Sequence, residues 1–408
     1  MIAATSPDGP QRTSFAPADR IDTLDGMRGI AVLLVVVYHM FFRWAEPEAP
    51  VTLYPHGNLL YYLPWMDILG RVGVLMFFLI SGFVIMMTLE RSTGIIDFLG
   101  RRLARLWPVM LLCATLSVIV IHFSDIAHYY PGQGRWQVTL GEFVSSILFL
   151  PPDLTLRFWG GAPGQHQWVA GVYWTLWVEI RFYVLISLVF LMAGRQGFLW
   201  AWMLVQGLST VMDVALTLGA DLSFLPGPVG FLAYNLLQPR FLAWFSIGLC
   251  GYLLWKGRRD HSIGVIAVLA FVALLSDEAF FLKGTVFELN DQALRFVVIC
   301  GLSFLPFYLF LRRSSVLRIF RWRPLLIIGL ASYPLYLFHE LPALAGMKIA
   351  AENGIHPWLG VALSIASLIL IAILIHRLFE EPAKRAFLVL WRAALGRMEG
   401  QVAQFQFR

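Results

Sequence analysis

His39 lies inside the run Gly29 to Phe42, which holds no other ionisable side chain except a tyrosine, and Arg28 stands directly before it. Eleven helical steps at about 100° each bring the two side chains to within roughly 20° of one direction, about 16 Å apart along the axis. A cation at the edge of an apolar helix with an imidazole deeper on the same face would suit a path for an anionic reactant that ends at a base. Ionisable groups inside a bilayer are expensive and are functional candidates by default. The plain alternative is a packing histidine that donates to a backbone carbonyl.

Further groups of this kind recur along the chain. Glu179 and His339 both fall within apolar runs. A carboxylate near an imidazole raises its basicity and fixes its tautomer, as a general base requires; an interhelical hydrogen-bond cluster would use the same residues. Arg181 is two positions from Glu179. Residues so spaced do not face each other on a helix, so Arg181 is expected to pair elsewhere or to line a cavity from a neighbouring face. Arg101, Arg102 and Arg105 precede another apolar run, and Arg102 and Arg105 share a helix face on which they could clamp a phosphate. Orientation of the chain in a membrane also places arginines there. Ser81-Gly82 offers a small-residue surface for close approach of a helix or a slender substrate.

The elements that must position these groups are membrane helices. The chain has 408 residues, 59% hydrophobic and 14% charged, with a mean hydropathy of +0.71. Soluble domains carry around 25% charged residues. The net charge of +6 would suit nucleic acid, but the basic residues fall in short clusters between apolar runs, and no nucleic-acid motif is present. Cys113, Cys250 and Cys300 each lie in an apolar stretch, too few and too scattered for a disulfide framework or a zinc site, and no metal is expected. Residues 1–24 are polar, and no cleavable signal pattern follows.

Apolar runs bounded by charges or turn residues predict an all-α, polytopic transmembrane bundle of about ten spans, near 29–44, 72–89, 104–123, 172–193, 198–218, 231–255, 263–281, 293–311, 325–347 and 358–379. A shorter run at 140–151 ends in Pro151-Pro152. If it spanned, the segment 219–230, which holds no Lys or Arg, would be cytoplasmic; as a re-entrant or interfacial piece it keeps the charge pattern in step. The clusters around Arg91–Arg105, Lys256–Arg259, Arg312–Arg323 and Arg377–Arg385 then face the cytoplasm together with both termini. The expected organisation is a cytoplasmic tail at 1–24, a membrane domain at 25–385 and a cytoplasmic tail at 386–408. Segment 124–171 becomes the largest external piece, with Tyr129, Tyr130, Trp136, Trp159, His166 and Trp168 as an interfacial aromatic belt, a platform for an acceptor, or both. No internal repeat supports an inverted-repeat transporter. On this scheme His39, Glu179 and His339 fall at similar depth in the outer half, and Arg28, Arg102 and Arg105 at the inner side.

These motifs, in order, resemble a known family. Leu24-Asp25-Gly26-Met27-Arg28-Gly29 leading to His39, then Phe77 to Phe83, then Arg101-Arg102-Leu103-Ala104-Arg105-Leu106-Trp107-Pro108, are similar to the amino-terminal signature of the membrane-bound acyltransferase-3 family. Tyr173 to Glu179, Ser332 to His339 and Phe379-Glu380-Glu381-Pro382 resemble its later motifs. The resemblance covers roughly residues 20–385. It implies a multi-pass enzyme of the cell inner membrane that O-acylates, usually O-acetylates, carbohydrates or other hydroxyl compounds, drawing on cytoplasmic acyl-coenzyme A (acyl-CoA, in most cases acetyl-CoA). It also implies catalytic roles for Arg28 and His39 and a role for Glu179, with Arg102 and Arg105 matching a paired-arginine motif. Where many members carry Ser-Val-Glu-Glu-Gln-Phe-Tyr, this chain has Trp177 to Tyr183, with Ile180 and Arg181 replacing the second acid and the glutamine. That leaves Glu179 as the candidate acid there and fits a different acceptor or acyl group. No counterpart of the hydrolase-like extracytoplasmic domain of many members is expected, so a second transfer step is expected to need another protein.

The expected site therefore comprises His39, Glu179 and His339 for catalysis, with Arg28, Arg102, Arg105 and Ser81 for the donor. The expected partners are acyl-CoA, a hydroxyl-bearing acceptor and membrane lipids. A transporter or flippase of a glycan or lipid intermediate, using buried His and Glu as a proton relay, is the rival class.

Overall fold

The computed structural model describes residues 21–43, 63–124, 126, 138–157, 166–220, 227–238, 240–279 and 291–406. Among the described residues every regular element is helical. The helices are α1 (Asp22–Tyr38), α2 (Ile68–Arg91), α3 (Ile95–Ser124), α4 (Leu140–Ile147), α5 (Pro152–Arg157), α6 (Trp174–Thr217), α7 (Gly227–Leu237), α8 (Leu242–Trp255) and α9 (His261–Ala279). They continue as α10 (Asp291–Leu311), α11 (Arg323–Leu330), α12 (Ser332–Phe338), α13 (Glu340–Glu352), α14 (Pro357–Ile375) and α15 (Glu381–Gln406). Of the expected external aromatics, Tyr129, Tyr130, Trp136 and Trp159 lie outside the described residues.

Among the described residues, six helical stretches are long and apolar enough to cross a membrane: 22–42, 65–91, 95–124, 171–217, 294–311 and 357–395. Their outward surfaces are apolar. On α6, Met192 is 85% exposed and Leu191 71%, while Gln206, Ser209, Thr210 and Asp213 are buried. That inversion suits a lipid surround, where polar groups must be satisfied within the protein. At 44 residues, α6 would be about 66 Å long if straight, twice the hydrocarbon thickness. It breaks at Gly194 (φ 62°, ψ −175°), so the two runs expected at 172–193 and 198–218 are two helices that meet without an intervening loop.

Two other expected runs are divided. The run at 231–255 separates into α7 and α8 between Gln238 (φ 46°) and Arg240 (φ 78°), with Pro239 between them in the sequence. The run at 325–347 becomes α11, α12 and α13, with breaks at Ala331 and His339. Pro334 and Pro342 explain this locally, because each lacks the N–H that would pair the carbonyl four residues earlier. Helix α4 has eight residues, about 12 Å, and does not reach across a bilayer. Leu140, Val144 and Leu148 form its exposed stripe, and buried Glu142 completes a capping box with Thr139, as befits an interfacial piece.

Helix α1 packs between α2 and α11, and α2 packs along α8. The α2–α8 crossing is set by Gly82, where an added Cβ would lie 2.1 Å from the Phe245 carbonyl oxygen. Gly248 meets the Leu79 carbonyl oxygen in the same way. The small-residue surface read at Ser81-Gly82 is thus a helix contact at Gly82, which leaves Ser81 beside it turned toward α6, where it bonds Glu179.

Candidate active site

At His39 the α1 helix widens into a π-turn, His39–Arg43. Such turns occur often at functional sites. The ring's Nδ1 lies 2.9 Å from the Val35 carbonyl oxygen and 3.2 Å from Nε2 of His339. His339 sits at the α12–α13 break, fully buried, with its own Nδ1 2.8 Å from the Tyr336 carbonyl oxygen. The rings meet edge to face, with centroids 4.8 Å apart.

These contacts assign the protons. A carbonyl oxygen only accepts, so both Nδ1 atoms carry hydrogen. His339 Nε2 then presents its lone pair to His39 Nδ1–H, and His39 keeps its own lone pair on Nε2. The two histidines, 300 residues apart in sequence, form a dyad in which His339 orients His39.

Two cavities share wall residues here, and His39 lines the larger of them. The smaller, about 60 Å³, is lined by Arg28, Ser81, Arg105, Thr175 and Glu179, among others. The larger, about 600 Å³, is lined by His39, Arg71, Trp174, Arg240 and Glu340, among others. Val74 and Tyr336 line both. Tyr336 is held in place by Thr175 (2.8 Å), by the Val172 carbonyl (3.3 Å), and by an edge contact with Phe77.

Arg28, Ser81, Arg105 and Glu179 are therefore brought together, with Arg28 also 3.5 Å from Asp25. Glu179 Oε1 accepts from Ser81 (3.0 Å) and Tyr183 (2.6 Å). The carboxylates that share the larger cavity with His39 are those of Asp67 and Glu340, and Glu340 Oε2 accepts from Val172 N–H at 3.2 Å. Arg102 turns away from Arg105. It donates to the Val84 carbonyl (3.1 Å) and to Thr88, and lies over the rings of Phe98 and Tyr183. Its contact with Glu179 runs through Tyr183, so it supports the cavity wall without lining it. Arg181 is bonded to Asn235 (3.2 Å) and stacked on Trp177, tying α6 to α7 and lining neither cavity. Of the expected external aromatics and histidine, His166 lies 3.6 Å from Glu142, and Trp168 packs partly buried against the core. Among the described residues no cluster of His, Cys, Asp or Glu could hold a metal ion.

The sequence reading passed over Glu340, Tyr336 and Tyr183. Glu340 follows His339 directly and was visible as a carboxylate inside an apolar run. Tyr183 stands four residues after Glu179, on one helix face. Tyr336 carries no signal of its own, because its place at the junction of the cavities arises from the break in the run after Ala331.

The model of an acyltransferase domain matches residues 21–377. The peptidoglycan O-acetyltransferase OatA of Listeria monocytogenes is 25% identical over 92% of this chain and 57% of its own length. OatA of Staphylococcus aureus, an O-acetyltransferase, is 24% identical over 93% of this chain and 60% of its own. An O-acetyl transferase of Shigella phage Sf6 is 26% identical over 40% of this chain and 43% of its own. The chain thus spans at most about 60% of the length of these relatives. No solved structure matches.

Proposed function

Because the chain belongs to the acyltransferase family, we propose that it is a membrane O-acyltransferase that moves an acyl group, acetyl in the simplest case, from acyl-CoA to a hydroxyl of a carbohydrate of the cell envelope. In this reading the protein resides in the inner membrane and takes its donor from the cytoplasm. The relatives' names support the O-acetyl chemistry. The observation that carries the reading is the dyad: an imidazole with its lone pair fixed on Nε2, on the wall of a large cavity that adjoins a smaller one lined by two arginines.

Arg28 and Arg105 suit the phosphates of the donor, since guanidinium groups bind phosphate oxygens bidentately. The smaller cavity is too narrow for a nucleotide, so the nucleotide stays at its mouth and the slender pantetheine arm runs inward past Ser81 and Glu179. The acceptor occupies the larger cavity. His39 Nε2 takes the proton of its hydroxyl while the oxygen attacks the thioester carbonyl carbon. Collapse of the tetrahedral intermediate breaks the C–S bond, and the departing sulfur recovers the proton from His39. His339 accepts from Nδ1–H throughout and holds the ring. In the relay variant Nε2 attacks the thioester carbonyl carbon, the C–S bond breaks and coenzyme A departs as a thiolate; the acceptor hydroxyl then attacks the acyl carbon, its proton passes to the thiolate, and Nε2 is released.

The test uses purified protein in nanodiscs with acyl-labelled acetyl-CoA and an envelope glycan fraction. Release of coenzyme A that depends on the glycan, and is lost in His39→Ala, is the expected result. Unchanged release in a folded His39→Ala protein would refute the assignment. A label trapped on the protein without glycan would select the relay. Glycan or lipid movement without coenzyme A release would point to the rival transporter class.

A further inference from the structure

The charges around the larger cavity do not follow from membrane orientation. Arg71 and Arg91 lie twenty residues apart on α2, about 30 Å, the thickness of the hydrocarbon layer. Arg91 belongs to the basic cluster that continues at Arg101 and Arg102. An arginine at the opposite end gains nothing from the positive-inside preference, and no ion pair joins Arg71 to a carboxylate among the described residues. Its neighbour Gly70 packs on the ring of Tyr38, beside His39, where an added Cβ would lie 2.6 Å from the ring. Arg71 is thereby held on the wall that also presents His39.

Arg240 reaches the same cavity from an irregular stretch of backbone. It and Gln238 both have positive φ, a conformation that costs non-glycine residues on the order of 1 kcal/mol or more each. Helical breaks at membrane depth persist where they are buried in protein or line a polar cavity. Gln238 fixes this one. With its amide nitrogen toward α6, it donates to the Val178 carbonyl (3.0 Å) and accepts from Phe182 N–H (2.8 Å), on either side of Glu179.

Of the acids at this cavity, Asp67 is bonded by Arg295 at 2.7 Å and Glu340 accepts a backbone N–H. Arg71 therefore stands on this wall with no carboxylate joined to it among the described residues, and Arg240 brings a second guanidinium group to the same cavity. A negatively charged group of a ligand would meet Arg71 there. Aromatic faces at Tyr38, Trp174 and Phe241 complete a wall that suits sugar rings, and a volume near 600 Å³ is that of a site for a small ligand.

We infer that this cavity is the acceptor subsite and that it selects an acidic glycan, with Arg71 and Arg240 receiving a sugar carboxylate while a hydroxyl of the ligand faces His39. The inference rests on the acyltransferase reading and adds to it the class of acceptor.

Binding to the full chain in nanodiscs tests this apart from turnover. The probes are an oligosaccharide of alternating N-acetylglucosamine and glucuronate, and the same oligosaccharide with its carboxyl groups reduced to alcohols. The acidic form should bind at least about tenfold more tightly, the scale of one charge-assisted contact. Arg71→Gln and Arg240→Gln should each shrink that preference while binding of the reduced form stays within twofold. Equal binding of the two forms, binding of neither, or loss of both alike in the variants would overturn the inference. So would an effect of the variants on phosphatidylglycerol vesicles alone, which would make the site one for lipid headgroups. Coenzyme A release with the envelope glycan fraction is read on the same samples. Release without acidic preference sinks only the subsite, whereas no release sinks the acyltransferase reading.

Discussion

Nε2 of His339 stands 3.2 Å from Nδ1 of His39, and the carbonyls of Tyr336 and Val35 fix which nitrogen of each ring bears hydrogen. Nε2 of His39 is thereby left as the nitrogen with a lone pair, the atom that the proposed function uses as its base. Neither ring needs a carboxylate partner to be held in this tautomer, which leaves Glu179 and Glu340 for other work at the two cavities.

If His339 acts only by positioning His39, its loss should affect turnover and spare donor binding. His339→Ala is expected to lower kcat about 10- to 100-fold, with the KM for acyl-CoA within twofold of the parent, because a misoriented base loses part of the 10²–10⁴ that general-base catalysis supplies. His339→Asn, which can still accept from Nδ1–H, should recover part of the loss. A His339→Ala protein that loses donor affinity in proportion would show a merely structural residue. Steady-state kinetics on both variants decide.

The two arginines of the Arg-x-x-Arg pair should separate in assay. Arg105 lines the smaller cavity, and Arg105→Ala is expected to raise the KM for acyl-CoA about tenfold, the scale of one charge-assisted contact. Arg102 bonds Val84 and Thr88 inside the wall. Arg102→Ala should instead lower the thermal midpoint of the purified protein, by removing buried hydrogen bonds to a charged group worth about 1.5–3 kcal/mol each. Equal effects of the two substitutions on donor KM would count against this division.

How far the site was legible depends on what each residue needed. Arg28 and His39 sit eleven positions apart on one helix, so periodicity alone set their shared direction. His339 stood out as an imidazole in an apolar run. Its partnership with His39 was not legible, because it depends on α11, α12 and α13 being short pieces that turn the chain at Ala331 and His339. Pro334 and Pro342 mark those turns in the sequence, but hydropathy reads across them. Arg102 and Arg105 share a helix face, yet their guanidinium groups end in different places. A long side chain goes where tertiary partners receive it, and Thr88 and Tyr183 belong to other helices. The break between α7 and α8 was hidden for a similar reason, since Gln238 is held by the backbone of α6.

The α2–α8 crossing should tolerate no side chain at Gly82. A Cβ there would sit 2.1 Å from the Phe245 carbonyl oxygen, and that atom belongs to helix backbone which cannot rotate aside. Gly82→Ala must push α8 outward, at a cost of about 1–3 kcal/mol typical of overpacking. The displacement also reaches the site, because Ser81 beside it holds Glu179 and Phe241, at the start of α8, lines the larger cavity. Gly82→Ala is therefore expected to lower both the thermal midpoint and kcat. Gly94→Ala, where an added Cβ meets nothing within 4 Å, serves as the control and should leave both unchanged. Equal stability and turnover in Gly82→Ala and the parent would mean that the two helices do not approach as closely as their glycines allow.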